Sequence, residues 1–199
     1  MREKELKMLT IGDRVQEAID YMDKGKIEQA LTPACIAIDM TAQLYYNKAK
    51  SSNKDYKNFI KDHLWLITYM GLPGIFSNSL KISFKHPNVS LDQDGFCTIE
   101  DIIYHVIRCG LVHSNGIDSK IEWNKIITLG NGQNGNLLLS DNLIWGIIGY
   151  IVFSEVNINE KVGEFCWISI ADFKYFINDI WGRIDIAKKV IKMYTRIEV

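Results

Sequence analysis

Arg108 and His113 stand five positions apart in the segment Tyr104-His105-Val106-Ile107-Arg108-Cys109-Gly110-Leu111-Val112-His113. Side chains of these two types can hold a phosphate and move a proton. Histidine titrates near neutral pH, so it can take a proton from a ribose 2′-hydroxyl or return one to a leaving oxygen. A guanidinium offers paired donors to phosphate and stabilises charge that develops in phosphoryl transfer. Such chemistry needs no metal. The sequence carries no carboxylate–histidine cluster with ligand spacing, no phosphate loop and no nucleophile elbow, so neither a metal nor another cofactor is expected.

On an ideal α-helix Arg108 lies about 180° from Ile99, on the polar side, and His113 lies about 140° from Arg108. The two do not share a face of a regular helix. They can meet around a phosphate if the helix end unwinds after Gly110, or if a second subunit brings its own pair across a symmetric groove. The plainer alternative is a surface arginine followed by a histidine that interacts with the C-terminal helix dipole.

The elements that must position this pair are mostly helical. Apolar residues at Ile11, Val15, Ala18, Ile19 and Met22 mark a first helix, with Gly25 as its stop. A second helix spans about 27–48, with Pro33 expected to bend it or to mark its effective start. Asp39 sits among the apolar residues of that helix, and an unpaired buried carboxylate is costly, so it requires a partner or a cleft. A third helix reads from Asp55 to Met70, ended by Gly71-Leu72-Pro73-Gly74. Leu80–Phe84 alternates as a short strand. Thr98 caps a fourth helix that begins near Ile99, with acidic residues in its first turn. Its stripe is Ile99, Ile102, Ile103, Val106, Ile107 and Gly110.

Beyond it, Ile121–Lys125, Ile126–Leu129 and Asn136–Leu139 surround the glycine-rich run Gly130-Asn131-Gly132-Gln133-Asn134-Gly135. That pattern predicts a β-hairpin insertion over about 120–140. No lysine or helix start follows the run as a phosphate loop requires. A fifth helix is expected over Leu143–Val156, and a last one from about Ser169 to Tyr194. The chain reads as a single mainly α domain over residues 1–199 with a small β decoration.

The 199 residues are 47 % hydrophobic and 24 % charged, with a formal net charge of −1. A near-neutral chain has no global attraction to nucleic acid or anionic membrane, so RNA contact must come from a local patch. The charged start Met1-Arg2-Glu3-Lys4-Glu5-Leu6-Lys7 lacks the apolar run of a signal peptide. The longest apolar stretch, near Leu143–Phe153, is too short to cross a bilayer, so no membrane association and a cytoplasmic location are expected. Cys35, Cys97, Cys109 and Cys166 are widely spaced and read as reduced, mostly buried thiols. His63 with Asp62, and His105 with Asp101, are weak metal-ligand candidates. Trp123, Trp145, Trp167 and Trp181 read as packing residues rather than base-stacking ones, and Lys188-Lys189 as a solvated helix end.

The Tyr104–His113 segment resembles the signature of the HEPN superfamily (higher eukaryotes and prokaryotes nucleotide-binding domains): an arginine, four to six residues, then a histidine near the end of a late helix. The resemblance implies an up-and-down helical bundle, commonly a homodimer in which the motif helices of two subunits face one another. Many members are metal-independent endoribonucleases that act as toxins or in defence, some held by a protein antitoxin. Others are non-catalytic modules that bind a nucleotide, RNA or a protein. By this resemblance Arg108 binds and polarises the scissile phosphate, and His113 is general acid or base. Asp39 is a candidate for the acidic group that some members place near the site. Active members frequently have a polar residue after the arginine; here that position is Cys109. A purely structural role, with Arg108 and His113 as hydrogen-bonding groups between subunits, is the third reading.

Overall fold

The computed structural model describes residues 9–72, 75–113, 116, 118–126 and 129–197, with the side chain of His113 left aside. The described chain is mainly α. Thr10 and Asp13 form a reciprocal capping box that starts α1 (Ile11–Asp23), and Gly25, at φ +66°, turns the chain away after it. The Gly12 amide also donates to the Glu160 carboxylate at 2.7 Å, which places a negative charge at the positive end of α1. Helix α2 (Ile27–Tyr45) runs through Pro33, whose ring removes only the amide that would have paired with the Gln29 carbonyl.

The expected third helix is two helices. Ser52 and Asp55 form a second capping box for α3 (Asn53–Asp62), the chain breaks at His63, and α4 (Leu64–Gly71) continues. His63 leaves helical geometry at φ −126°, and its ring stacks 4.4 Å from that of Tyr150. Leu64, Trp65, Leu66, Ile67 and Thr68 are consecutive and all buried, a run no single helical stripe could place in the core. The break at His63 lets the first turn of α4 be buried on every side, while Tyr69 and Met70 further on are partly exposed.

The expected short strand is β1 (Lys81–Ile82), paired antiparallel with β2 (Cys97–Thr98). Thr98 then caps the motif helix as expected, accepting from the Asp101 amide. That helix is not regular. After α5 (Ile99–Asp101) the backbone becomes a π-helix from Ile102 to Arg108, before α6 (Cys109–His113) resumes α geometry. The Cys109 amide reaches back five residues to the Tyr104 carbonyl. A π-helix turns less per residue than an α-helix, so the angles drawn for an ideal helix do not hold across this segment.

The insertion is richer than a hairpin. Strands β4 (Leu129–Asn131) and β5 (Leu137–Ser140) pair antiparallel around the glycine-rich turn, as expected. Strand β3 (Ile121–Asn124) adds to β5 in parallel, which gives the order β3-β5-β4. Buried Leu137 and Leu139 turn one face of β5 into the core. Helix α7 (Leu143–Phe153) is apolar all round and ten of its residues are buried. It crosses α4 at very close range: a Cβ on Gly146 would collide with the Ile67 carbonyl, and one on Gly71 would lie 2.8 Å from the Leu143 Cα.

The last expected helix is also corrected. Residues from Ser169 do not begin it; they belong to a second hairpin, β6 (Trp167–Ile170) and β7 (Phe173–Phe176). Helix α8 spans only Ile184–Thr195. One core cluster joins α1, α2, α4, the π segment, α7 and α8, from Ile11 to Ile191. Among the described residues no helix is long and apolar enough to cross a membrane.

Candidate functional site

The site is built where α2, α3 and the π segment meet. Asp39 is half-buried on α2, and its carboxylate receives Arg108 Nη2 at 3.2 Å. The Ser51 hydroxyl donates to the other Asp39 oxygen. The demand made by a carboxylate in an apolar helix is thus met by an arginine 69 residues away in sequence. The Arg108 guanidinium carbon also sits 5.5 Å from the Tyr56 ring centre and 5.1 Å from that of Tyr104. The two rings are themselves edge-to-face at 5.2 Å. A planar cation between two aromatic faces and a carboxylate has little rotational freedom.

Burial works against the Arg108 charge, but the Asp39 hydrogen bond and charge outweigh it and hold its pKa above the ordinary arginine value. The side chain stays 24 % exposed. Only Nη2 is engaged; Nε and Nη1 carry no other hydrogen bond among the described residues. The arrangement therefore presents a fixed, permanently charged fork with donors to spare for an anion.

Cys35 lies one turn before Asp39 on α2 and is buried in the same corner. Burial pushes its thiol up to about 11, with Tyr56 and Arg108 pulling the other way. It stays protonated at neutral pH and is no nucleophile. Cys109 is half-buried, and all four cysteines are free; Cys35 and Cys97 are the fully buried pair. The backbone of His113 closes α6 five residues beyond Arg108, while its side chain lies outside the described residues.

The weaker candidates take other roles. His63 packs between Phe59 and Tyr150, with Nδ1 3.4 Å from the Phe59 carbonyl, and burial lowers its pKa. His105 stacks edge-on to Tyr104 at 4.9 Å; burial, then the Lys57 charge, lowers its pKa. Among the described residues no group of three histidine, cysteine or acidic side chains comes together as metal ligands would. Sequence reasoning missed Tyr56 and Ser51 as site residues: the first fell within the expected third helix and the second before it, and neither carries a local signal of a site. It also missed His86. Its Nδ1 accepts from the Asn88 amide at 3.2 Å, so Nε2 carries the proton and faces Asp118 at 3.1 Å. That contact ties the loop before β2 to the turn before β3.

A family model described as Rv1289 matches residues 10–199. The chain belongs to this family. Its relatives include an uncharacterized protein of Mycobacterium bovis (strain AF2122/97) and one from each of the Mycobacterium tuberculosis strains CDC 1551 and H37Rv. Each is 22 % identical over 191 residues, an alignment that covers 93 % of this chain and 89 % of the relative. No solved structure matches the chain.

Proposed function

We propose that this chain is a metal-independent endoribonuclease of HEPN type, acting as a homodimer on single-stranded or looped RNA. The observation that carries the reading is the contact between Asp39 and Arg108. An acidic residue from an early helix beside the motif arginine is compatible with the acidic group that some members of that superfamily place near the site. In this reading Arg108, held flat by Tyr56 and Tyr104, polarises the scissile phosphate through Nε and Nη1. His113 takes the 2′-hydroxyl proton or supplies one to the departing 5′-oxygen. Attack by the 2′-oxygen on phosphorus breaks the P–O5′ bond and leaves a 2′,3′-cyclic phosphate. A role in defence or in a toxin–antitoxin pair, with a protein antitoxin as partner, follows from the same resemblance.

The test is incubation of the purified protein with a mixed-sequence RNA pool, with and without EDTA. Cleavage that survives chelation and ends in 2′,3′-cyclic phosphate supports the reading, and so does a loss of about 10²-fold or more in His113→Ala. Sedimentation should show a dimer. Activity that needs added magnesium, or a strict monomer at micromolar concentration, overturns the proposed site. The specific observation for the second reading, a non-catalytic module that binds RNA or nucleotide, is Cys109 in place of the usual polar neighbour. RNA that is bound but left intact selects it.

A further inference from the structure

A cleft of about 700 Å³ opens between α1, α4, the start of α7 and the β6–β7 hairpin, sharing no residue with the Arg108 corner. Its volume lies in the range of sites that take small molecules. Ile19 and Ile168, buried to 4 % and 3 % exposure, form its floor. Tyr69, Trp145 and Trp167 supply aromatic surface, and Trp167 remains 47 % exposed. Single exposed tryptophans are common, but here Trp167 shares one concavity with Tyr69 and Trp145.

The charged groups of this cleft have one sign. Asp20, Asp23 and Asp172 line it, and among the described residues no lysine, arginine or histidine does. None of the three has a cationic partner among the described residues. Asp20 receives only the Gln16 amide, at 2.8 Å, and Asp172 only the Tyr194 hydroxyl, at 2.7 Å. The nearby cation is Lys174, whose ammonium lies 3.4 Å from the Trp167 ring centre, outside the lining. That ammonium occupies one face of the Trp167 ring, so a bound cation would meet the other face or the rings of Tyr69 and Trp145. The wall is also held in place: Gln16 of α1 accepts from the Gly163 amide at 2.8 Å and from the Cys166 thiol at 3.2 Å, pinning the approach to β6.

We propose that this cleft binds a small organic cation, an amine or quaternary ammonium carried on a flat apolar body. Three carboxylates at the mouth attract the charge, aromatic faces take it by cation–π contact, and the apolar floor receives the body. An anion would meet three like charges with no cationic group among the described lining residues to offset them, and a neutral aromatic would lose the electrostatic part of the attraction.

The experiment uses the full chain and three probes of one shape: benzylamine, benzyl alcohol and benzoate. Binding is followed through the tryptophan indole NMR resonances, with Trp167 assigned by Trp167→Phe. Benzylamine should bind about tenfold or more tightly than benzyl alcohol, and benzoate should not bind. The advantage should shrink in the Asp23→Asn/Asp172→Asn double variant and at high salt. Both residues are exposed, so the variant should fold, as an unchanged spectrum away from the cleft would show. Equal affinity for the amine and the alcohol, an advantage the double variant keeps, or no perturbation of Trp145 or Trp167 by any probe at millimolar concentration overturns the proposal.

Discussion

The Arg108 corner and the cleft beside the β6–β7 hairpin treat charge in opposite ways. In the first, each charged group is answered from within: Asp39 by Arg108 and Ser51, and Arg108 by two tyrosine rings. In the second, three carboxylates share a concavity with no cation among the described residues. A half-buried charge must be paired for the chain to fold, whereas charges at the mouth of an open cleft are solvated and can be left for a ligand. The corner is thus built for position, with geometry fixed before any substrate arrives. The cleft is built for attraction.

The largest effect expected from breaking this contrast is on the corner's chemistry. If the proposed ribonuclease reading holds, Arg108→Ala removes the guanidinium fork and should lower RNA cleavage by about 10²-fold or more. Arg108→Lys should not restore it, since an ammonium cannot stack between Tyr56 and Tyr104 while presenting paired donors. Single-turnover cleavage, with circular dichroism to confirm folding, checks both. Next comes the scaffold between the two regions. Gly146→Ala drives a methyl against the Ile67 carbonyl at the α4–α7 crossing, where backbone cannot retreat, and should cost about 1–3 kcal/mol in urea unfolding.

Asp39→Asn tests the corner's internal pairing. It should cost about 1 kcal/mol of stability. If Asp39 orients Arg108, kcat should fall by about tenfold with KM little changed, and Asp39→Glu should recover part of the loss. A purely structural carboxylate would lower stability and leave kcat of the folded fraction untouched. The smallest effect belongs to the cleft. Asp172→Asn still lets residue 172 accept from Tyr194, and should leave stability within about 0.5 kcal/mol of the parent. A clear destabilisation there would mean that the cleft carboxylates serve the fold after all.

The two regions also differ in how far the sequence disclosed them. Asp39 stood out because a carboxylate in an apolar helical stripe must find a partner, and it did. The identity of that partner was hidden, since nothing local links Asp39 to Arg108. The π segment was hidden for another reason. Ile99, Ile102, Ile103, Val106 and Ile107 satisfy the α period, and a π-helix announces itself in backbone hydrogen bonds rather than in residue types. The β6–β7 hairpin did leave a signal: in Trp167-Ile168-Ser169-Ile170 the two isoleucines are buried while Trp167 and Ser169 are exposed, the alternation of a strand. Its turn lacks the usual markers. Ala171, without glycine's freedom, takes φ +49°, so the run was read as the start of α8. The break at His63 was likewise masked, because the apolar spacing continues across it.

The π segment has a consequence for how the chain tolerates changes in length. A π turn holds more residues than the α turn it replaces, so the stretch from Ile102 to Arg108 carries slack between two α-helical flanks. Loss of a half-buried residue such as His105 can tighten it to ordinary α geometry and leave α5 and α6 in their places. The same loss in the middle of α2 would turn everything after it by about 100° and carry Asp39 away from its arginine. Along the motif helix, length is a quantity the backbone can absorb; along α2 it is not.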